Sequence, residues 1–136
     1  MVLIGMMGVG KSTVGRHLAV ALRKDFFDSD KEIERNSGAS ISWIFDVEGE
    51  AGFRKRESEA IANICLGENI VLATGGGAVV REENRRILSD FGYVVFLSGS
   101  VELILSRTEH DKSRPLLQRS DRAETISRLL SERTPY

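Results

Sequence analysis

Residues 5–12 read GMMGVGKS and match the phosphate-binding pattern G-x-x-x-x-G-K-[ST]. The apolar run 2–4 precedes this segment, and residues 11–24 follow it with apolar side chains at helical spacing. A strand, a glycine-rich loop and a helix in this order are the context that the pattern requires. The segment therefore predicts binding of a nucleoside triphosphate, in preference to a turn that only begins a helix.

The loop supplies several kinds of phosphate donor. Its glycines allow backbone N–H groups to converge on phosphate oxygens, and the following helix N-terminus adds partial positive charge. The ammonium group of Lys11 is predicted to reach the terminal phosphates, and the hydroxyl of Ser12 to join the shell of a Mg²⁺ ion. The predicted ATP-binding residues of the loop are Gly8, Val9, Gly10, Lys11, Ser12 and Thr13.

The rest of the chain alternates between strand and helix patterns. Apolar runs at 26–27, 70–73 and 93–97 predict strands, and the last two have the continuous apolar character of buried strands. Helical patterns lie between them, which favours parallel pairing. We therefore predict an α/β fold in three layers, α/β/α, with a central parallel sheet, and ligands that bind where the strands end.

Two carboxylates, Asp28 and Asp30, follow the second predicted strand. Alternate residues of an extended chain point to the same side, so both could face one cleft. Beside a phosphate-binding loop, one carboxylate can orient hydrated Mg²⁺ and the other can accept the proton of an attacking hydroxyl. A solvated turn with Asp30 as a helix N-cap explains the spacing equally well by itself, and the neighbouring loop favours the catalytic interpretation.

Two later segments add weaker indications. Residues 53–57 read FRKRE within a long predicted helix, a pattern that is also typical of a solvated face with intrahelical pairs. Gly75, Gly76 and Gly77 directly follow a buried strand and leave bare backbone that a ligand can approach closely, although a flexible turn would look the same. Both segments are candidates for a second-substrate site.

Residues 108–120 are polar and charged, which predicts a mobile surface loop. Arg114 lies in this loop, and Arg107 and Arg133 flank it. A loop that closes over phosphates needs such guanidinium groups to neutralise charge. The segment is therefore a candidate lid.

Composition limits the classes of function. The 136 residues fit one domain, and 41% apolar with 29% charged residues exclude a disordered chain. The net charge of −1 provides no electrostatic footprint for nucleic acid or an anionic membrane, and we expect neither as a partner. Because 14 of the 19 basic residues are arginine, small anions are favoured as ligands.

The sequence also gives an expectation for cellular location. Its single cysteine, Cys65, cannot form an internal disulfide, and no apolar run approaches the length that spans a bilayer. We therefore expect a cytoplasmic protein, and we expect it to be a monomer.

The order of the motifs resembles the shikimate kinases, small members of the nucleoside monophosphate kinase-like P-loop fold. The resemblance extends over essentially the whole chain. The matching segments are the P-loop 5–12, Asp28 with Asp30, Gly49-Glu50 with Phe53-Arg54 and Glu57, residues 74–78 (TGGGA), and residues 114–117 (RPLL). Generic nucleotide kinases share the P-loop alone, so the remaining segments carry the resemblance.

The resemblance implies a single P-loop kinase domain over residues 1–136, with a helical substrate-binding region at 28–66 and a mobile lid at 108–120. It also implies a reaction, the transfer of the ATP γ-phosphoryl group to the 3-hydroxyl of shikimate with Mg²⁺ as cofactor, in aromatic amino-acid biosynthesis. The expected ligands are thus ATP or ADP and shikimate.

Roles for individual residues also come from the resemblance. Asp30 would hold the substrate hydroxyls and act as the base, and Asp28 would be a partner of hydrated Mg²⁺ together with Ser12. Arg107 would lie against the adenine, and Arg114 would move in with the lid to neutralise the transferring phosphoryl group. The implied catalytic residues are Lys11, Asp30 and Arg114, and the implied substrate-binding residues are Asp30, Arg54, Gly75, Gly76, Gly77 and Arg133.

One departure and two alternatives remain. Family members usually continue beyond the equivalent of Tyr136 into one more strand and a terminal helix, and we expect this chain to lack both. A kinase for another small hydroxylated acid, such as gluconate, would use the same fold. A nucleotide-binding switch is the alternative from another class, although it would not need Arg54, the glycine triplet or Arg114.

Overall fold

The computed structural model describes residues 1–109 and 121–136. The strands are β1 (Val2–Ile4), β2 (Asp25–Asp28), β3 (Ile70–Ala73) and β4 (Val94–Phe96). The helices are α1 (Lys11–Leu22), α2 (Ser29–Ser37), α3 (Ile41–Ile64), α4 (Glu82–Phe91), α5 (Val101–Thr108) and α6 (Arg122–Arg133). A 3-10 helix, Ala78–Val80, precedes α4.

The four strands form one parallel sheet in the order β2-β3-β1-β4. Val2 of β1 lies opposite Leu72 of β3 on one side and Val94 of β4 on the other. The carboxyl ends of β1, β2 and β3 therefore meet at one edge of the sheet. This edge is where parallel α/β sheets bind ligands.

Alternate side chains of the strands pack against helices on both faces of the sheet. Leu3 and Val71 contact Ala19 of α1 on one face, whereas Val2 and Leu72 belong to the cluster that includes residues of α3 and α4 on the other. All five of these side chains are essentially buried. The predicted three-layer α/β/α fold with a central parallel sheet is confirmed.

The strand predicted at 93–97 is more exposed to solvent than its apolar sequence predicts. β4 is an edge strand of the sheet, and Val94, Val95 and Phe96 are 37–53% exposed. A continuous apolar run indicates a strand with two apolar faces, but it does not indicate how much of each face a neighbouring element covers. The prediction of a strand is correct, and the prediction of burial is wrong.

Residues 29–64 contain only α2 and α3 and no strand. The Asp28 side chain caps α2 by accepting from the backbone N–H groups of Asp30 (3.1 Å) and Lys31 (3.4 Å). The alternative that Asp30 is the N-cap is therefore wrong. Within α3, Gly49 has φ 69° and ψ −178°, which interrupts the helix just before its second half.

The C-terminal helices support the P-loop. Ile104 of α5 and Ile126 and Leu129 of α6 form one apolar cluster with Met6 and Val9 of the loop. Within residues 1–109 and 121–136, no helix is both long enough and apolar enough to cross a membrane. The predicted lid, apart from Thr108 and Glu109, lies outside the described residues.

Candidate functional site

A cleft of about 610 Å³ opens at the edge of the sheet where β1, β2 and β3 end. Its walls come from the P-loop, the junction of β2 and α2, the second half of α3 and the turn formed by residues 75–77 after β3, here called the glycine turn. Every predicted site residue within the described part of the chain lines this cleft, namely Gly8, Val9, Gly10, Lys11, Ser12, Thr13, Asp28, Asp30, Arg54, Gly75, Gly76, Gly77, Arg107 and Arg133. Arg114 is the one predicted site residue outside the described ranges.

Two cations hold the carbonyl groups of the P-loop. Lys11 Nζ donates to the carbonyl oxygens of Gly5 and Met6, each at 2.8 Å, and the lysine is almost fully buried. Arg107 donates through one guanidinium nitrogen to the carbonyls of Val9 (3.0 Å) and Gly8 (3.4 Å). The C=O group of a trans peptide and the N–H group of the following residue point in opposite directions. The N–H groups that follow these four carbonyls therefore point away from Lys11 and Arg107.

The backbone of the loop requires glycine. Gly8 has φ 78° and Gly10 has φ 100°, a region that L side chains rarely adopt. A Cβ added at Gly8 would also lie 2.8 Å from the γ-methyl of Thr108 in α5. The loop therefore combines a left-handed turn with close contact to α5, and both features fix its position at the start of α1.

Asp28 and Ser12 form an oxygen cluster at the end of the loop. The Ser12 hydroxyl donates to Asp28 Oδ2 at 2.5 Å, while Asp28 Oδ1 caps α2. A hydroxyl and a carboxylate that face a phosphate-binding loop are the donors that Mg²⁺ uses alongside phosphate oxygens. The residues at this position therefore fit a magnesium ion.

Asp30 is the second residue of α2, and its side chain lies beside the glycine turn. A Cβ added at Gly75 would lie 2.6 Å from Asp30 Oδ1 and 2.6 Å from Glu57 Oε1, so both carboxylates approach the same bare Cα. The prediction that Asp28 and Asp30 alternate along an extended chain is wrong, because Asp30 belongs to helix α2. Asp28 and Asp30 nevertheless line the same cleft.

The Arg54 side chain is fixed from two sides. It donates to Glu57 Oε2 at 2.8 Å and to Glu50 Oε1 at 3.0 Å, and it is 8% exposed. A Cβ added at Gly77 would collide with its guanidinium group. Within the segment 53–57, Lys55 is exposed, but Phe53, Arg54 and Glu57 are buried, so the predicted solvated face does not include Arg54. The absence of a side chain at Gly77 makes room for the Arg54 guanidinium.

Arg133 approaches the same turn from α6. Its guanidinium donates to the Gly76 carbonyl at 3.1 Å, and the residue is 9% exposed. Burial lowers the pKa of Arg133, and the positive charge of Arg54 lowers the pKa further. Glu50 and Glu57 raise the pKa of Arg133 again. Two buried guanidinium groups that line one cleft can together donate hydrogen bonds to an anion such as a carboxylate.

Glu57 belongs to a segment that matches the family, but it was not predicted to have a role in the site. It is fully buried, and its Oε1 atom has no hydrogen-bond partner within the described residues. Burial raises the pKa of Glu57 and Asp30 raises it further, whereas Arg54 opposes the rise. The signal was available, because Glu57 continues the apolar stripe of Phe53, Ala60 and Ile61 at helical spacing.

Ser29 is a second residue that was not selected. It is fully buried, and its hydroxyl accepts from the backbone N–H of Gly75 at 2.9 Å. The contact joins the start of α2 to the glycine turn, so it sets the distance between Asp30 and that turn. No pattern in the sequence distinguishes this serine from an ordinary turn residue.

Comparison with known proteins gives a consistent result. The sequence model of the family described as shikimate kinase matches residues 7–136. A shikimate kinase from Pseudomonas syringae pv. syringae is 54% identical over 136 residues, which cover all of this chain and 79% of the relative.

Solved structures agree with this comparison. A shikimate kinase from Acinetobacter baumannii in complex with shikimate has a TM-score of 0.97 and 51% identity, over 98% of this chain and 75% of that chain. A gluconokinase from Sinorhizobium meliloti has a TM-score of 0.51 and 20% identity, over 96% of this chain and 72% of that chain. The likeness to the gluconokinase is one of fold alone.

Proposed function

The chain belongs to the shikimate kinase family, and from this premise we propose how its cleft performs the reaction. The protein is an ATP-dependent kinase that transfers the γ-phosphoryl group to the 3-hydroxyl of shikimate, giving shikimate 3-phosphate and ADP. The observation that carries the mechanism is the pair of buried guanidinium groups, Arg54 and Arg133, in one cleft with the P-loop.

The P-loop binds the phosphates of ATP. Its backbone N–H groups and the N-terminus of α1 receive phosphate oxygens, and Ser12 and Thr13 line the same wall. Lys11 exchanges its contacts with the Gly5 and Met6 carbonyls for the terminal phosphates when nucleotide binds. Such an exchange replaces two neutral acceptors by a charged one, which strengthens the hydrogen bond.

Asp30 holds the reacting hydroxyl of shikimate and accepts its proton. The carboxylate lies beside the bare Cα of Gly75 and lines the cleft with Lys11, so an acceptor hydroxyl at Asp30 faces the phosphates. Removing the proton as the new P–O bond forms leaves no positive charge on the attacking oxygen of shikimate. The breaking bond is the one between the γ-phosphorus and the β–γ bridging oxygen, which leaves with ADP.

Arg54 and Arg133 bind the carboxylate of shikimate. Two planar guanidinium groups can each donate two parallel hydrogen bonds, which fixes the orientation of the ring as well as its charge. Glu57 and Glu50 hold Arg54, and the Gly76 carbonyl holds Arg133 before substrate enters. The substrate-binding contacts of the turn come from the backbone of Gly75, Gly76 and Gly77, where no side chain fills the cleft.

Ser12 and Asp28 would hold a Mg²⁺ ion, Ser12 directly and Asp28 through water. When bound, Mg²⁺ supplies positive charge that neutralises the β- and γ-phosphate oxygens. The short hydrogen bond between Ser12 and Asp28 supports this assignment because it aligns two oxygen donors beside the P-loop.

The remaining assignments rest on the family. Arg107 lies against the adenine, and its present contacts with the Gly8 and Val9 carbonyls support a position at the nucleotide end of the cleft. Arg114 neutralises the transferring phosphoryl group from a lid at 108–120, with a helical substrate-binding region at 28–66 of a single domain. A monomeric state and a cytoplasmic location are further parts of the proposal.

A coupled assay for ADP release tests the acceptor. The purified chain is given Mg²⁺ and ATP with shikimate, with gluconate, or with no acceptor, and Lys11→Ala is the control for contaminating kinases. We expect turnover that depends on shikimate and is lost in Lys11→Ala, because that substitution removes the cation from the phosphate site. Equal ADP release with and without shikimate, or a preference for gluconate, would overturn the proposed function.

A further inference from the structure

The turn that follows β3 is held by side chains of α4 that no part of the mechanism has used. Asn84 Nδ2 donates to the Ala78 carbonyl at 2.9 Å. Arg85 donates through one nitrogen to the carbonyls of Val79 (2.7 Å) and Val80 (2.9 Å). Two consecutive residues of α4 therefore bind all three carbonyl groups of the 3-10 helix that continues the glycine turn.

The other end of the turn is tied as well. Ser29 accepts from the N–H of Gly75, and Arg133 donates to the carbonyl of Gly76. With Asn84 and Arg85, side chains from α2, α4 and α6 thus fix the backbone of residues 75–80. A segment that begins with three glycines has a large backbone entropy to lose, and these contacts remove it before substrate binds.

Arg85 has a further contact that links the turn to α6. Its guanidinium lies 4.5 Å from the ring centroid of Tyr136, three residues beyond Arg133. Stacking of a guanidinium on an aromatic face is favourable. Arg85 therefore contacts both the carbonyl side of the turn and the residues that follow α6.

Asn84 is buried, so its bond to the turn is part of the packed interior and not a surface contact. The residue is fully buried, and its Oδ1 atom has no hydrogen-bond partner within the described residues. Burying an amide with one of its groups unpaired opposes folding. The amide therefore acts through the one donated bond, which goes to Ala78.

From these contacts we propose that Asn84 and Arg85 are positioning residues for the acceptor substrate. They fix the backbone of the turn that faces the carboxylate and ring of shikimate, and their hydrogen bonds go to carbonyl groups at 78–80 rather than to the P-loop residues 8–13 that are assigned to ATP. The proposal rests on the proposed function, since it assigns the turn to shikimate. It predicts that loosening the turn weakens binding of shikimate and leaves binding of ATP unchanged.

The test compares variants of neighbouring residues on α4. Arg85→Ala removes both carbonyl contacts, Arg85→Lys keeps a cationic donor on a long side chain, and Asn84→Leu replaces the amide by an apolar group of similar size. Arg86→Ala is the matched control, because Arg86 is exposed and pairs with Glu82 on the surface of the same helix. For each protein we would measure KM for shikimate, KM for ATP, kcat and the unfolding midpoint.

The expected result is a separation of the two KM values. Losing the bond from the Asn84 amide, or the two bonds from the Arg85 guanidinium, should raise KM for shikimate by about 3- to 10-fold in Asn84→Leu and Arg85→Ala. Arg85→Lys should recover part of the loss, while ATP KM in all variants and every parameter of Arg86→Ala should stay close to wild type.

Two outcomes would overturn the inference. Unchanged shikimate KM in Arg85→Ala would show that the turn keeps its position without these contacts. An equal rise in both KM values together with a lower unfolding midpoint would show a general structural role. A wild-type protein inactive with shikimate would instead refute the proposed function, so the two failures are distinguishable.

Discussion

Glu57 is a buried carboxylate between a guanidinium group and a second carboxylate. Arg54 stabilises its charge, but burial and Asp30 oppose that charge, and the pKa of Glu57 is raised above its ordinary value of 4.5. A native state that holds the proton more tightly than the unfolded chain loses stability as the pH rises through the raised pKa. Glu57 therefore stabilises the fold most in mild acid.

Replacement of Glu57 by Gln tests the sign of this effect. We expect the advantage of wild type over Glu57→Gln in free energy of unfolding to shrink as the pH rises from about 4.5 towards neutrality. Urea unfolding of both proteins at intervals between these limits provides the measurement. An advantage that grows with pH would mean that the ion pair with Arg54 outweighs burial, and the account of this residue would be wrong.

Asp28 and Asp30 have different neighbours, so their replacement by Asn should produce different kinetic defects. Asp30→Asn cannot accept a proton, so kcat should fall by roughly 10²- to 10⁴-fold with little change in ATP KM. Asp28→Asn weakens the charge beside Ser12, so its activity should require more Mg²⁺. Kinetics over a series of Mg²⁺ concentrations separate the two, and identical behaviour of both variants would refute the division of roles.

The glycine turn tests the account at the scale of an element. A Cβ at Gly77 would occupy the position of the Arg54 guanidinium, so Gly77→Ala must displace that side chain. We expect KM for shikimate to rise by about tenfold or more, because one charge-assisted contact is lost or misplaced. ATP KM is the internal control, and an unchanged shikimate KM would show that Arg54 does not bind the substrate from its present position.

Local patterns indicated the elements of the site better than they indicated its side-chain partners. The P-loop could be predicted because its eight residues specify both a backbone shape and a chemistry. The N-cap of α2 is Asp28 and not Asp30, because both residues are good caps and the choice depends on the tertiary contact between Asp28 and Ser12.

The contacts of the glycine turn show why other parts of the site could not be predicted. Ser29 contacts the backbone of Gly75, which is distant in sequence, whereas Asn84 and Arg85 contact carbonyl groups in the short turn just before α4. All three contacts depend on how the chain folds back on itself, so they leave no periodic signal. Glu57 was predictable in principle, because a lone carboxylate on an apolar helical stripe indicates a buried charge with a partner.

At the scale of the whole molecule, the sheet and its helices followed from apolar periodicity. The exposure of β4 did not, because burial of an edge strand depends on what lies beside it and not on its own residues. The contact between α1 and the sheet is also invisible in the pattern. Gly15 occupies that contact, where a Cβ would lie 2.5 Å from the Phe26 ring and 3.2 Å from Leu3 Cδ1.

Gly15→Ala should therefore overpack the core between α1 and the sheet. We expect a loss of about 1–3 kcal/mol in free energy of unfolding, despite the higher helix propensity of alanine. Val20→Ala is the control on the same helix, since Val20 is 79% exposed and should change stability by no more than about 0.5 kcal/mol. Urea unfolding compares the two, and a stabilised Gly15→Ala would contradict the packing described here.

The central claim is that Arg54 and Arg133 bind the carboxylate of shikimate in the same cleft as the P-loop. Arg54→Lys keeps the charge and loses the planar fork, so KM for shikimate should rise about ten- to a hundredfold while ATP KM stays constant. An analogue of shikimate with its carboxylate reduced to an alcohol should bind wild type poorly, and the substitution Arg54→Lys should weaken its binding little further.

The decisive measurement is KM for the acid and the alcohol in wild type and Arg54→Lys, arranged as a double-mutant cycle. The account predicts a strong coupling, with the penalty of the substitution confined to the acid. If the alcohol lost as much as the acid, Arg54 would not read the carboxylate, and the assignment of this cleft to shikimate through that contact would be contradicted.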